Sequence, residues 1–317
     1  MPKEQFEMTI PPTPDSADVA EIRKEQKQRA SELNSEIKNI QGEKSLEDLS
    51  IDELRKVLAL YEDIKNIATA ETVPSTPEFA QAKLELQKSE TEAVSKYFGK
   101  KIEVLPVPTQ ITVEQFEFWK QNQFELHYCP GTEIKEDSKF PGMKKGLDED
   151  IYKRIKDGSI TPDSATLPKG WILIDARPKP NYDNGDQMYE NDILEEVMEK
   201  LRIAGQIEDF KHKGSRFNCS WDELDKEIVK KAVAEVLKVR PEQLEMPSAA
   251  LFNYIGNKTH SEWGKTDTWE WFQDKFKSGY RLDGGDSDDG GLSDAGYASS
   301  GDRYDYLGFR PSVRFSV

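Results

Sequence analysis

From Gly279 to Val317 the chain contains no Lys, Glu, Gln, Asn, Met or Trp, although Lys and Glu are common everywhere upstream. Glycine instead recurs about every five residues, as Gly284 and Gly285, Gly290 and Gly291, then Gly296, Gly301 and Gly308. That spacing predicts tight turns between very short strands. Leu282, Leu292, Tyr297, Tyr306, Leu307 and Phe309 supply apolar anchors, so the segment is not a flexible linker. The ending alternates Val313, Phe315 and Val317, as a terminal strand returning to a sheet would.

The rest of the chain divides in two. Residues 1–16, with Pro2, Pro11, Pro12 and Pro14, form a disordered lead. From Ser16 to Gln41 the thinly spaced Val19, Ile22, Leu33, Ile37 and Ile40 give a long solvated helix with a narrow apolar seam. Ser50 and Glu53 make a capping box ahead of Leu54, Val57, Leu58, Tyr61, Ile64 and Ile67, which mark a second helix broken by Pro74 and Pro77. A third runs through Phe79, Leu84, Leu86, Val94 and Phe98 and stops at Gly99. Residues 17–99 are thus expected to be a coiled-coil or three-helix module, serving as a stalk or oligomerisation unit.

Residues 101–317 read as one α+β domain. Ile102, Val104, Leu105 and Val107, bounded by Pro106 and Pro108, predict an edge strand; Thr112–Leu126 predicts an aromatic-faced helix. Trp171–Asp175 (WILID) is a buried strand, while Asp192–Ala204 and Ser220–Val239 are amphipathic helices, the latter opened by a capping box of Ser220 with Glu223. Pro241 starts another, and Ala249–Ile255 is a short buried turn of helix. Helices and strands do not alternate regularly, which disfavours a doubly wound sheet.

A formal charge of −16 argues against nucleic acid, whose recognition draws on clustered Lys and Arg. No eighteen apolar residues run together and the start lacks an apolar signal core, so no membrane insertion is expected. A cytoplasmic chain, or a virion or surface component exported without a cleavable signal, fits equally. Cys129 and Cys219 form no CxxC pair, and the three histidines lack the spacing of a structural zinc site, so no metal ligand set is assigned. His127 and Cys129 would share one strand face, where a metal, a nucleophilic thiol or simply a half-buried thiol are the readings. Asp283, Asp286, Asp288 and Asp289 bring oxygens together as a calcium loop would. An EF-hand begun at Asp286, however, would have Gly290 and Tyr297 at its fifth and twelfth positions, so that motif fails. Calcium in another geometry is the one cofactor that the acidic stretch suggests.

The string GYRLDGGDSDDGGLSDAGYASSGDRYDYLGFRP resembles the C-terminal variable region of proteins diversified by diversity-generating retroelements, and less closely the end of formylglycine-generating-enzyme domains. In both, an arginine and paired glycines open the segment and a GFR triplet closes it; here these are Arg281, Gly284, Gly285, Gly308, Phe309 and Arg310. ITVEQFEFW resembles the family's first helix, and TWEWF its Trp-rich approach to the variable loop. The likeness covers residues 101–317, with specific motifs only at the C-terminal end.

The resemblance implies a C-type-lectin-like fold and adenine-directed mutagenesis, which can generate Asp, Ser, Gly, Tyr, Ala, Leu or Arg from Asn codons but not Lys, Glu, Gln, Met or Trp. It implies a ligand-displaying segment at 279–310 with display positions Asp286, Asp288, Asp289, Asp294, Gly296, Tyr297, Gly301, Asp302, Tyr304, Asp305 and Tyr306. Arg281, Gly284, Gly285, Gly290, Gly291, Leu292, Gly308, Phe309 and Arg310 would be the fixed scaffold. The expected function is binding of a protein or other macromolecule. Tyr offers contact area at small entropic cost while Ser, Gly and Asp adapt their hydrogen bonds. A structural virion or surface-fibre component is the alternative. Catalysis of the formylglycine-generating kind is disfavoured, because copper-holding cysteines near the C-terminus are missing: no Cys follows Cys219.

Overall fold

The structure, a computed structural model, describes residues 16–42, 44, 48–50, 53–54, 56–58, 60–61 and 76–315, and the side chains from residue 27 onward. The Pro-rich lead before Ser16, the side chains of Val19 and Ile22, the second-helix positions Ile64 and Ile67, the breaking Pro74, and Val317 lie outside the described residues. The chain divides into two units, Met1–Gln81 and Ala82–Val317.

In the first unit the helix Ser16–Gln41 and the helical residues after Ser50 share a small apolar cluster of Ile37, Leu49 and Val57, with Ile40, Leu54 and Leu60 packed against it. The predicted capping box is present: Ser50 Oγ accepts from Glu53 N at 3.3 Å while Ser50 N donates to the Glu53 carboxylate at 2.8 Å. The unit boundary does not fall at Gly99. The third helix, Pro77–Phe98, crosses it, and from Ala82 on it belongs to the larger unit. Tyr97 and Phe98 explain this, since they pack edge-on against Tyr254 and Phe140 at 4.8 and 4.7 Å.

The larger unit is mixed α+β, with eight strands among the described residues, in two four-stranded sheets. They are β1 (Phe124–Pro130), β2 (Lys169–Asp175), β3 (Leu244–Glu245), β4 (Trp269–Phe276), β5 (Tyr280–Gly284), β6 (Gly296–Ser299), β7 (Leu307–Gly308) and β8 (Ser312–Arg314). The first sheet runs β1-β2-β8-β3, all antiparallel, and the second β6-β5-β4-β7, with β7 parallel to β4. WILID is the predicted strand: Trp171, Ile172, Leu173 and Ile174 are all buried in β2. The terminal strand is paired on both sides, Val313 lying opposite Leu173 and Leu244.

Four sequence expectations are corrected. The segment around Val104 forms no strand, because Pro106 and Pro108 lack ladder donors; its carbonyls are taken by side chains instead. Trp171 Nε1 donates to Leu105 and Pro106 O at 3.0 Å, and Gln87 Nε2 to Val104 O at 2.8 Å. The helix begun at Thr112 ends at Gln121, and left-handed Gln123 (φ 57°) turns the chain into β1, so Phe124 and Leu126 are strand residues. Ser220 with Glu223 does cap a helix, but only Trp221–Leu224; extended Lys226 restarts it as Glu227–Leu237. The helix Ala249–Lys258 is longer than the single turn expected and is buried from Ala249 to Asn257.

Between the sheets lies a buried ionic network that no periodicity announced. Asp175 accepts from Arg177 Nη1 at 2.7 Å and lies 2.7 Å from Arg216 Nη2; Arg216 Nε donates to Asp192 at 2.6 Å. Arg310 Nε donates to Glu270 at 3.1 Å, and its guanidinium lies 4.0 Å from the Trp263 ring centre. Three arginines meet three carboxylates, so the burial of six charges leaves none uncompensated.

Candidate functional site: the C-terminal loop surface

Two loops of the tail, between β5 and β6 and between β6 and β7, hold most of the predicted display positions. The first is fixed from beneath. Gly291 has φ 65°, and a Cβ there would stand 2.5 Å from Gly264 O, so a side chain meets both a strained backbone and a collision. Leu292 is buried, and Asn253 Nδ2 donates to its carbonyl at 2.8 Å. Lys179 Nζ donates to Gly285 O at 2.7 Å, and burial pulls this amine down to about 8. Asp286 accepts from Trp269 Nε1 at 2.6 Å and from Asp288 N at 2.8 Å.

The second loop is tied at both ends. Ser300 N donates to Gly279 O at 2.8 Å, Asp222 N to Ser300 O at 2.9 Å, and Trp269 N to Tyr306 O at 3.0 Å. Arg303 forks onto the Glu223 carboxylate at 3.0 and 2.9 Å, a geometry that fixes the loop's middle.

On this frame Asp288, Asp289, Tyr297, Gly301, Asp302 and Tyr306 are exposed, and Asp286, Tyr304 and Asp305 half-buried. Two of the predicted display positions are packed instead. A Cβ on Gly296 would lie 2.6 Å from Asp283 Oδ1 and 2.7 Å from the Trp269 ring, so no side chain fits there. Asp294 is buried and accepts from Asp286 N at 3.0 Å, acting as a strut of the loop. Of the predicted scaffold, Gly284, Gly285, Gly291, Leu292, Gly308, Phe309 and Arg310 are buried. Gly290 and Arg281 are half-buried; the Arg281 guanidinium covers Trp221 at 4.5 Å.

Residues from elsewhere extend the surface into two aromatic groups, which the tail sequence alone could not reveal. Tyr297 stacks on Phe276 at 4.1 Å, with the Arg154 guanidinium 5.1 Å from its ring and Tyr280 alongside. Tyr306 stacks on Tyr304 at 5.3 Å and meets Tyr182, whose hydroxyl donates to Asp305 at 2.7 Å.

Beneath the loops, Asp283 and Asp294 form an electrostatically frustrated pair. Burial, then the neighbouring Asp294, pushes the Asp283 carboxyl up to about 8, and its Oδ1 has no hydrogen-bond partner. Burial, with Asp289 and Asp286 nearby, pushes Asp294 up to about 7. Asp286 is meanwhile engaged by Trp269 and by backbone amides. Among the described residues, the acid and histidine donors that converge within 4.8 Å are Glu125, His127 and His260, outside the acidic loop.

Elsewhere, both cysteines are buried, and burial pushes each thiol up to about 12, which leaves neither a nucleophile. Cys129 is buried outright rather than half-buried. A cavity of about 210 Å³ beside Trp221, Leu224, Leu244 and Met246 includes no predicted display residue. It is smaller than the roughly 300–1,000 Å³ usual for small-molecule sites. No protein-family model, curated protein or solved structure matches this chain.

Proposed function

We propose that the chain is a binding protein whose segment 279–310 presents variable side chains to a macromolecular partner. In this reading the larger unit is a C-type-lectin-like scaffold of the kind diversified by diversity-generating retroelements, and the N-terminal helices mount or oligomerise it. One observation carries the proposal: exposed Asp288, Asp289, Tyr297, Asp302 and Tyr306 stand on loops held by buried Asn253 and Lys179 in the first and by backbone hydrogen bonds in the second, none of which depends on those side chains. Loops on a rigid frame tolerate change at their tips, and rigid tyrosines among small adaptable residues are the chemistry of a paratope. The burial of both thiols supports recognition over copper-dependent catalysis. An acidic, tyrosine-bearing face favours a basic or polar partner surface.

The test has two arms. The neighbouring DNA should contain a reverse transcriptase gene and a near-copy of the 3′ coding end differing mainly at adenines; its absence removes the retroelement origin. Replacing Asp288, Tyr297 and Tyr304 together by alanine should abolish capture of the partner found with the unmodified chain and leave the melting temperature nearly unchanged. A large stability loss, or retained capture, refutes the display role.

A further inference from the structure

We infer that Glu125, His127 and His260 form a binding site for a first-row divalent transition metal, with zinc the best fit. Alternation along β1 puts Glu125 and His127 on one face, and the turn after the helix Ala249–Lys258 brings His260 against them. Glu125 Oε2 lies 3.2 Å from His127 Nε2 and 3.0 Å from His260 Nε2, and all three donors fall within 4.8 Å of one another. In a tetrahedral site with bonds of about 2.0–2.1 Å, neighbouring donors stand roughly 3.3 Å apart. The two measured edges therefore already have the required length.

The outer contacts are those that ligating imidazoles need. His127 Nδ1 faces Glu90 Oε1 at 3.3 Å, and His260 Nδ1 faces Glu262 Oε1 at 2.9 Å. A carboxylate on the far nitrogen fixes the tautomer that offers Nε2 to an ion and raises its basicity. Glu90 is itself pinned by Lys258 Nζ at 2.6 Å and Tyr128 N at 2.8 Å, and the His260 ring stacks on Trp263 at 4.8 Å, only 8° from parallel. Both rings are thus held before any ion arrives.

A second observation separates this cluster from an ordinary ion pair. His127 is 3% exposed, yet its Nε2 has no hydrogen-bond partner: the Glu125 oxygen beside it lacks the alignment. A buried imidazole nitrogen aimed at a carboxylate and a second imidazole, with nothing completing it, is satisfied by a cation at their centre. Two imidazoles and one carboxylate favour zinc over calcium or magnesium, which take oxygen cages. Glu125 is 48% exposed in its side chain, so the fourth position opens to water.

The experiment uses the full chain, stripped with chelator, in thermal unfolding with and without zinc, and in cobalt(II) titration followed by visible absorption. Zinc should raise the melting temperature, calcium at the same concentration should not, and cobalt should give the intense bands of a tetrahedral site. Glu125→Gln and His260→Gln, both at solvent-reached side chains, should each weaken zinc binding at least tenfold and remove the cobalt bands. His212→Gln, at a surface histidine elsewhere, should change nothing. The inference is overturned if zinc leaves the unmodified chain's melting unchanged, or if the shift and the bands persist in both site variants.

Discussion

Arg310 closes the tail's GFR triplet, and its replacement by methionine would probe the buried frame of the tail most sharply. The side chain is fully buried; Nε donates to Glu270 at 3.1 Å, Nη2 lies 3.0 Å from the other Glu270 oxygen, and Nη1 donates to Arg177 O at 2.9 Å and to Asp175 O. Methionine keeps much of the stem that packs on Trp263 but removes the charge, so Glu270, itself buried, keeps only the Tyr189 hydroxyl as a close polar partner among those identified. Breaking one partner of a buried pair costs about 3–5 kcal/mol. In a unit of this size each kcal/mol moves the melting temperature by about 2–4 °C, so the fall should be about 6–20 °C. Circular dichroism during heating and urea unfolding read it. A double variant, Arg310→Met with Glu270→Leu, removes both charges and should be more stable than Arg310→Met alone. A loss below about 1 kcal/mol for the single variant, or a double no better than the single, would refute the assignment of Arg310 as an ionic anchor.

Gly296→Ala should cost about 1–3 kcal/mol by driving a methyl into Asp283 and Trp269, whereas Gly301→Ala, whose Cβ would meet only Asp222 at 3.6 Å, should stay within about 0.5 kcal/mol; urea unfolding distinguishes them. Asp283 and Asp294 have folded pKa values raised to about 8 and about 7, so the folded chain holds protons that the unfolded one releases near pH 4. Their contribution is fully present below pH 4 and is lost as pH rises through 7 to 8, by an amount on the order of a few kcal/mol. Asp283→Asn should flatten that decline in a melting series from pH 5 to 9; an unchanged slope would mean the pair is solvated. Cys129 and Cys219, both fully buried with thiols pushed up to about 12, should resist a thiol reagent in the native chain and react in denaturant, counted by absorbance.

What the sequence disclosed and what it hid follow a physical pattern. Strong local signals carried through: WILID is β2 because four consecutive apolar residues bounded by turns have few other fates, and the Ser50/Glu53 and Ser220/Glu223 boxes cap helices as their spacing requires. The end of the helix at Gln121 was hidden, because the left-handed turn at Gln123 is not a glycine and the aromatics continue across it. Among tail residues, exposure could be guessed, but Gly296 is packed by Asp283 and Trp269 across the sheet, and buried Asp294 accepts from Asp286 N, contacts that no local pattern announces. The ionic network and the Glu125, His127 and His260 cluster are likewise tertiary. Strand alternation alone joins Glu125 to His127, and nothing local announces His260 or Arg310 as a partner.

The tail is not an appendage on a finished domain, and this shapes how variation in it can be tolerated. Its strands β5, β6 and β7 build most of the second sheet, and β8 then crosses to become an inner strand of the first. Removing residues 312–317 would take Val313, fully buried, from between Leu173 and Leu244, and Phe315, nearly so, from against Trp119 at 5.8 Å. Two such side chains are worth about 3–6 kcal/mol in burial alone, before the lost ladder bonds of β2 and β3, against a total stability of about 5–15 kcal/mol for a typical domain. Truncation at Pro311 should therefore unfold the larger unit or leave it open to protease at room temperature, while replacing several exposed residues upstream in the same segment should not. A truncated chain that melts cooperatively at the original temperature would show that β8 is dispensable. The two tail loops would then be held in place without β8.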